Sequence, residues 1–513
     1  MPKSTASILI VLAITLSSLV ASAKSINNKG LININELVVS NSAAEYSIGI
    51  PATRDPAEDE VALTLNDLLD IALRYNRSIE VVRQKVAQSV GQLTQARSGY
   101  LPRLSVLGRY FYTERQDSAV SSGGGTADPV FDQVEEDDIL HGAANLTQLI
   151  YDFGKTTGAI KVGKSNLTAE EANLARQLQD VVFQVKEAYY NVLEKMRLID
   201  VAKQSVGSFE QHLERAKVYY KAGVRTKIDV INAEVELSGA RLSLLRAEYN
   251  LKLARVGLEQ VLGYKPNGGK YVLESDQVEL DNVLDSMPPV PASLENSISE
   301  ALEERSDIHQ LKSIVEASEA DIKSSRGNYW PALIADAKVN DYDTTLSLYK
   351  DYWEVGVGLR WELFSGFETK GEVAEATGRY RENMAKLQDL ELVVVSEVTD
   401  SFLKTEENRE SVEIALQTLA LAKENVQLAE KRYESGAYDV IEFNDAQLSL
   451  TKTQSELVVA YYGYLTAFAG VEFAIGRSFM EDVDQLPAPV EEKEVNTPME
   501  TIQPNDDDRL AGL

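Results

Sequence analysis

Cysteine is absent and histidine occurs only at His141, His212 and His309. The first absence excludes disulfides, a thiolate nucleophile and a cysteine-linked lipid anchor. The second leaves too few ligands for a histidine-rich metal site. Positive charge is scarce as well. With a formal net charge of −29, the chain lacks the basic footprint that nucleic acid demands. Proline is missing between Pro129 and Pro266 and again between Pro331 and Pro487. A proline costs about 3 kcal/mol inside a helix, so both stretches are open to very long helices. Beyond the N-terminus, no stretch reads as an apolar run of transmembrane-helix length, so any membrane crossing falls to strands.

The apolar run Ile8–Val20 follows Lys3 and precedes the small-x-small triplet Ala21-Ser22-Ala23. That is the pattern of an export signal cleaved after Ala23 rather than of a membrane anchor, for which the run is short.

What is present is present twice. Ala72-Leu73 aligns with Ala301-Leu302, and Tyr100-Leu101-Pro102 with Tyr329-Trp330-Pro331, at a shift of 229 residues (331 − 102). Leu146, Gly223, Ala233 and Gly263 match Leu359, Gly436, Ala446 and Gly476 at a shift of 213 (436 − 223). The difference of 16 residues (229 − 213) falls in the first half between the Pro and the Leu, where Ser121-Ser122-Gly123-Gly124-Gly125 and the acidic Glu135–Asp138 predict a flexible surface loop. Solenoid units repeat every ~20–50 residues; this period is too long and marks a duplicated structural half. Each half reads as a short helix, two strands, and a long helical stretch broken by one glycine.

Strands are expected where the helical pattern stops. Trp353, Val355, Val357, Leu359 and Trp361 alternate with Glu354, Gly356, Gly358 and Arg360, a strict period of two. Eight steps at about 3.3 Å give roughly 26 Å, close to the ~25 Å apolar band of an outer-membrane barrel with its aromatic girdles. Leu333, Ala335, Ala337 and Val339 share a face of a partner strand, with Asp336, Lys338 and Asn340 opposite. In the first half Leu104, Val106, Gly108, Tyr110 and Tyr112 form one such set, and Leu140, Ala144, Leu146 and Ile150 another. A half-buried hairpin in a soluble sheet gives the same alternation. Four strands cannot close a barrel alone, so the membrane reading requires several chains to share one.

The helical bulk carries heptad-like spacing. Leu174, Leu178, Val181, Val185, Ala188 and Val192 step by four and three, and Val412, Leu416, Leu419, Ala422 and Val426 continue the theme in the second half, as in packed helices. From Gly154 to Ala222 is about 68 residues, or roughly 100 Å if continuous. Tyr220-Lys221-Ala222-Gly223 and Tyr433-Glu434-Ser435-Gly436 then reverse the chain, glycine being suited to a helix C-cap. Each half therefore makes a long antiparallel helical hairpin whose tip lies far from the strands.

Sequence motifs of catalysis are missing. Gly154-Lys155-Thr156 resembles the end of a phosphate-binding loop, but Leu149 stands where that motif needs glycine. No Gly-x-Ser-x-Gly and no His-Glu-x-x-His occurs. No enzyme, cofactor or metal site is expected.

In this order and twice over, the segments resemble the outer-membrane efflux protein (TolC) family. The landmarks are Gln148-Leu149-Ile150-Tyr151-Asp152-Phe153-Gly154 and its counterpart Trp361-Glu362-Leu363-Phe364-Ser365-Gly366-Phe367. More specific are the two tips, running on to Asp229-Val230-Ile231-Asn232-Ala233 and to Glu442-Phe443-Asn444-Asp445-Ala446. The resemblance covers Leu63–Gly476. It implies a mainly α protein with a membrane β-barrel, in which three chains of four strands build one 12-stranded barrel that continues into a periplasmic α-helical tunnel. It implies a homotrimer in the outer membrane of a Gram-negative bacterium, bedded in outer-membrane lipid, with a large periplasmic part. Its partners would be a periplasmic adaptor protein and an inner-membrane ABC or proton-driven pump. Such a channel is a passive conduit for type I protein secretion or small-molecule efflux, and the cargo is chosen by the pump. The alternative is an exported coiled-coil structural or tethering protein that never inserts.

On this reading the chain divides into a signal peptide (1–23), an N-terminal extension (24–62), a first repeat (63–263), an equatorial linker (264–296), a second repeat (297–476) and an acidic, disordered tail (477–513). Strands are expected over about 102–116, 139–150, 332–341 and 352–363, and long helices over about 154–222 and 226–262. By resemblance, Glu442 and Asp445 form carboxylate rings at the tunnel constriction, and Tyr433 hydrogen-bonds Asp229 across the closed gate. Gly223, Val224, Arg225, Gly436, Ala437 and Tyr438 form the tips that meet the adaptor, while Trp353 and Trp361 close the lipid-facing girdle. One departure stands out: Tyr438 replaces the arginine that the family's lock uses, and Arg225 holds the equivalent place in the first repeat.

Overall fold

Each half begins with two helices rather than the single one expected. In the computed structural model α1 (Leu65–Tyr75) is followed at once by α2 (Arg77–Ser98), and α5 (Leu294–Glu304) by α6 (Ser306–Gly327). The break falls on Asn76 and on Arg305, both extended residues (ψ 123° and 127°), and equivalent in the repeat. Asn76 starts α2 by accepting a hydrogen bond from the Ser78 amide (2.8 Å), an N-cap. Strands β1 (Arg103–Tyr112) and β2 (Asp138–Tyr151) lead into α3 (Lys155–Lys221) and α4 (Lys227–Val261). The second half repeats this with β3 (Ala332–Asp343), β4 (Tyr352–Arg360), α7 (Glu368–Glu434) and α8 (Val440–Ile475). Both α3 and α7 are 67 residues long, about 100 Å of helix.

Residues 62–112, 138–266, 271–274, 283–284, 286–290, 293–343, 352–434 and 440–477 are described. The expected signal peptide, most of the N-terminal extension, the loop over 113–137 and the tail after 477 lie outside them. All the described residues belong to one unit, Met1–Arg477.

The sheet is antiparallel in the order β1-β2-β3-β4. Its register converts four separate alternations into two coherent faces. Leu104, Leu146, Ala337 and Val355 stand in one row across the sheet, and Val106, Ala144, Val339 and Trp353 in another. On the opposite face Ser105, Asn145, Lys338 and Glu354 form a row, as do Arg103, Thr147, Asp336 and Gly356. The apolar rows are uncovered: Val106 is 78% exposed, Val355 71% and Val357 67%. Gln148 interrupts the apolar face near the helical end, where its amide donates to the carbonyls of Tyr100 (2.8 Å) and Leu149 (2.7 Å). A bulge at the end of β2 sets Tyr151, not Ile150, opposite Leu333. β4 stops at Arg360, short of the expected 363. Trp361 leaves the ladder to donate its Nε1 hydrogen to the Tyr329 carbonyl (3.2 Å), and the chain turns through Gly366 and Phe367, both at positive φ.

One core serves both repeats. Val181, Val185, Tyr189 and Val192 of α3 pack with Leu258 of α4, Val412 and Leu419 of α7, and Leu457, Val458, Tyr461 and Leu465 of α8. This corrects one expectation: residues 441–475 are long and apolar enough to cross a membrane. Their apolar character serves this core, to which Leu457, Val458, Tyr461, Tyr462, Tyr464 and Leu465 contribute buried side chains.

The equator is fastened symmetrically. Gly263 (φ +84°) ends α4 against the α1–α2 break, where an added Cβ would come within 2.4 Å of the Tyr75 carbonyl oxygen. Asn76 Nδ2 donates to the Val261 carbonyl there (2.7 Å). Gly476 (φ +81°) ends α8 against the α5–α6 break, and an added Cβ would meet Arg305 Cγ at 2.8 Å. Arg305 is only 1% exposed. Its guanidinium donates to both oxygens of Asp307 (2.6 and 3.1 Å), to Glu397 of α7 (2.8 Å) and to the Ala474 carbonyl of α8 (3.1 Å). Burial pushes the Asp307 carboxyl up, but these hydrogen bonds and the charges of Arg305 and Arg176 outweigh it and hold it below the usual value. A buried charge survives only when satisfied in this way.

Candidate functional site

The tips of the two hairpins and the strand sheet carry the expected functional residues. At the first tip, α3 ends in a turn closed by Gly223 (φ +74°). The Gly223 amide donates to the Tyr220 carbonyl and the Val224 amide to Tyr219, both at 3.0 Å, which satisfies carbonyls at the helix end. Nothing lies within 4 Å of a Cβ built on Gly223, and Val224 is 69% exposed. Both residues sit at an open end of the molecule.

Asp229 follows within the first turn of α4. Its Oδ2 accepts from the amide and the hydroxyl of Thr226, both at 2.9 Å, an N-terminal cap. The hydrogen bond expected between Tyr433 and Asp229 is not made. The Tyr433 hydroxyl is buried and has no hydrogen-bond partner among the described residues. Burial pushes its pKa up, against the pull of Arg225. The Tyr433 ring is instead covered by the Arg225 guanidinium, 4.8 Å from its centroid, and Arg225 Nη2 donates to the Tyr433 carbonyl (3.4 Å). Within this chain Arg225 therefore ties the first hairpin to Tyr433 of the second through a cation–π contact.

Gly436, Ala437 and Tyr438 lie outside the described residues, so the second tip is known only from its flanks. Glu442 and Asp445 stand one turn apart on α8, on one face of the helix. Asp445 is exposed and Glu442 intermediate, while Phe443, Asn444, Ala446 and Gln447 between and beside them are buried. This chain therefore leaves the two carboxylates uncovered. Glu442 is not a lone charge, because Arg432 Nη1 lies 3.0 Å from its Oε1. Both groups are half-exposed, so the pair is screened.

Two cross-hairpin contacts were not foreseen. Arg215 of α3 reaches Glu430 of α7 (2.5 Å). His212 of α3, 1% exposed, stacks on Phe443 of α8 (centroids 4.7 Å, planes 26° apart) and lies 5.3 Å from the Tyr433 ring. Its sequence signal was its spacing: His212 sits three residues after Phe209 and four before Ala216, both buried in the hairpin seam.

At the sheet, Trp353 (62% exposed) and Trp361 (51%) stand at opposite ends of β4. Among the described residues, no cluster of three or more metal-ligating side chains occurs.

A family model described as outer membrane efflux protein matches residues 68–264 and 297–477, one block in each repeat. The chain belongs to the outer membrane efflux protein family. Among curated proteins it is 23% identical over 425 residues to the alkaline protease secretion protein AprF of Pseudomonas aeruginosa, covering 82% of this chain and 85% of that one. It is 22% identical over 437 residues to the outer membrane protein TolC of Escherichia coli, covering 82% and 83%. Among solved structures it superposes on CusC with a TM-score of 0.71 at 18% identity, over 82% of this chain and 93% of that one. VceC of Vibrio cholerae gives 0.69 at 18% identity, over 81% and 96%. The fold is thus that of the family's channels, a helical tunnel joined to a barrel. As an outer membrane efflux protein, the chain resides in the outer membrane of a Gram-negative bacterium, with its tunnel in the periplasm.

Proposed function

We propose that three copies of this efflux protein close one 12-stranded barrel and a continuous periplasmic tunnel, and that the trimer is the passive outer-membrane exit of a tripartite export system. The observation that carries this is the sheet. Four strands share one apolar and one polar face, and their outer edges, β1 and β4, have no partner strand among the described residues. In lipid an unpaired strand edge costs several kcal/mol per group, and β4 of one copy pairing with β1 of the next removes it. The helices agree. Ile228, Ile231, Val235, Leu242, Leu245 and Tyr249 run down α4 exposed, as do Leu403, Ile414, Leu421 and Leu428 down α7. These are heptad-like seams awaiting a neighbouring helix.

The open tip at Gly223, Val224 and Arg225, together with the second-tip residues Gly436, Ala437 and Tyr438 of the sequence, is the surface for a periplasmic adaptor, which joins the channel to an inner-membrane ABC or proton-driven pump. Relatives are named for protein secretion (AprF) and for efflux (a probable efflux pump protein of Pseudomonas putida), so either cargo fits the same conduit. Glu442 and Asp445 of three copies converge on the tunnel axis as carboxylate rings, which attract cations. Conductance of the purified protein in planar bilayers tests this. Glu442→Ala with Asp445→Ala should weaken block by divalent cations; an unchanged block returns both residues to the outer surface.

A further inference from the structure

His212 stands in an unusual place for a titratable group. It is 1% exposed, wedged between the first hairpin and the second, and its Nε2 has no hydrogen-bond partner among the described residues. The same holds for two neighbouring buried atoms, the Tyr433 hydroxyl and Asn444 Oδ1. Buried polar atoms are normally satisfied, so the imidazole sits where the described residues give a proton on Nε2 no acceptor. The charged groups around the imidazole are unequal. Arg215 on its own helix and Arg225 over the Tyr433 ring are cationic; Asp229 of α4 and Glu430 of α7 are anionic. Both anions are already engaged, Asp229 by Thr226 and Glu430 by Arg215. Among the described residues of α7 and α8, the rings of Tyr433 and Phe443 pack against the imidazole.

We propose that His212 is a positioning residue of the gate, neutral while the two hairpins are clasped at the tip, and that its protonation in an acidified periplasm releases the clasp. The proposal rests on reading the tips as a gate. Burial, then the Arg215 charge, pushes the His212 pKa down from 6.5 to about 4, Asp229 opposing. The sign follows: the released state, in which the ring is wet, binds the proton more readily. Clasping is therefore complete above pH ~6.5 and is lost as pH falls toward about 4. The shift corresponds to a change on the order of a hundredfold in the clasp equilibrium of each chain.

Two readouts separate the clasp from the gate. Because the chain has no cysteine, Ala446→Cys (native residue 3% exposed) introduces a single thiol beside the clasp, with Leu448→Cys (46% exposed) as the exposed reference. The ratio of their thiol-labelling rates, and single-channel conductance, are followed from pH 7.5 to 4. With His212 intact both should rise as pH falls. In His212→Phe, which keeps the stacking and cannot titrate, the labelling ratio should stay flat and the rise in conductance should be smaller than with His212 intact. His212→Gln serves as a second non-titrating variant should the first fail to assemble. An acid response of the labelling ratio retained in either non-titrating variant overturns the clasp. A labelling ratio that follows His212 while conductance stays flat overturns the gate and leaves the clasp standing.

Discussion

Tyr433 is packed, not bonded, at the tip: its hydroxyl is unpartnered while its ring is covered by Arg225. Removing an unpartnered buried hydroxyl is close to neutral, so Tyr433→Phe should leave closure unchanged. Arg225→Met, which keeps the side-chain bulk and loses the cation, should loosen it by roughly 0.5–2 kcal/mol. Open probability in planar bilayers ranks the two variants, and the reverse order would restore a hydrogen-bonded lock. The first tip was legible because a glycine at the end of a helical run is a local signal. The Arg225–Tyr433 contact was not. It depends on how two hairpins about 200 residues apart cross, and no spacing within either hairpin encodes that. The role of His212 was not read from the sequence, since its stacking partners come from α7 and α8.

Among the elements, β4 was readable from its alternation because the side-chain period of a strand is two. The register and the bulge at the end of β2 were not, since pairing partners lie in other segments. Val357→Arg puts a charge on the apolar face midway between Trp353 and Trp361, in the row of Ala335 and Gln148, and should cost about 2–4 kcal/mol per chain in the bilayer. Reduced insertion of the heat-modifiable form measures it; wild-type insertion with a water-accessible residue 357 would invert the two faces. The helix breaks at Asn76 and Arg305 escaped the sequence because the apolar pattern continues through them. At the second, Arg305→Leu leaves Asp307 and Glu397 without their buried cation. Breaking such a pair costs about 3–5 kcal/mol, so the variant should unfold at clearly lower denaturant, while Arg477→Leu, whose partner Glu300 sits in an exposed pair, should shift it little. Equal shifts would mean the equatorial latch carries no special weight.

The whole molecule is unfinished as a single chain. The apolar face of the sheet, the two edge strands and the seams on α4 and α7 all expose what a soluble monomer buries, and one repeat of the arrangement supplies partners for each of them. The duplication was visible from the sequence, as was the division of labour between strands and helices. The number of copies was implied only by resemblance, because closure is a property of several chains together. Cysteine-pair trapping tests it most directly. The chain contains no cysteine, so one cysteine on the outer edge of β1 (Ser105→Cys) combined with a scan along β4 (residues 353–359) reports only introduced contacts. Closure of three copies predicts that one position in the scan yields, without reductant, a covalent trimer from outer membranes and nothing larger. Crosslinked dimers that never proceed to trimer at any position, or an open ladder of higher oligomers, would contradict it.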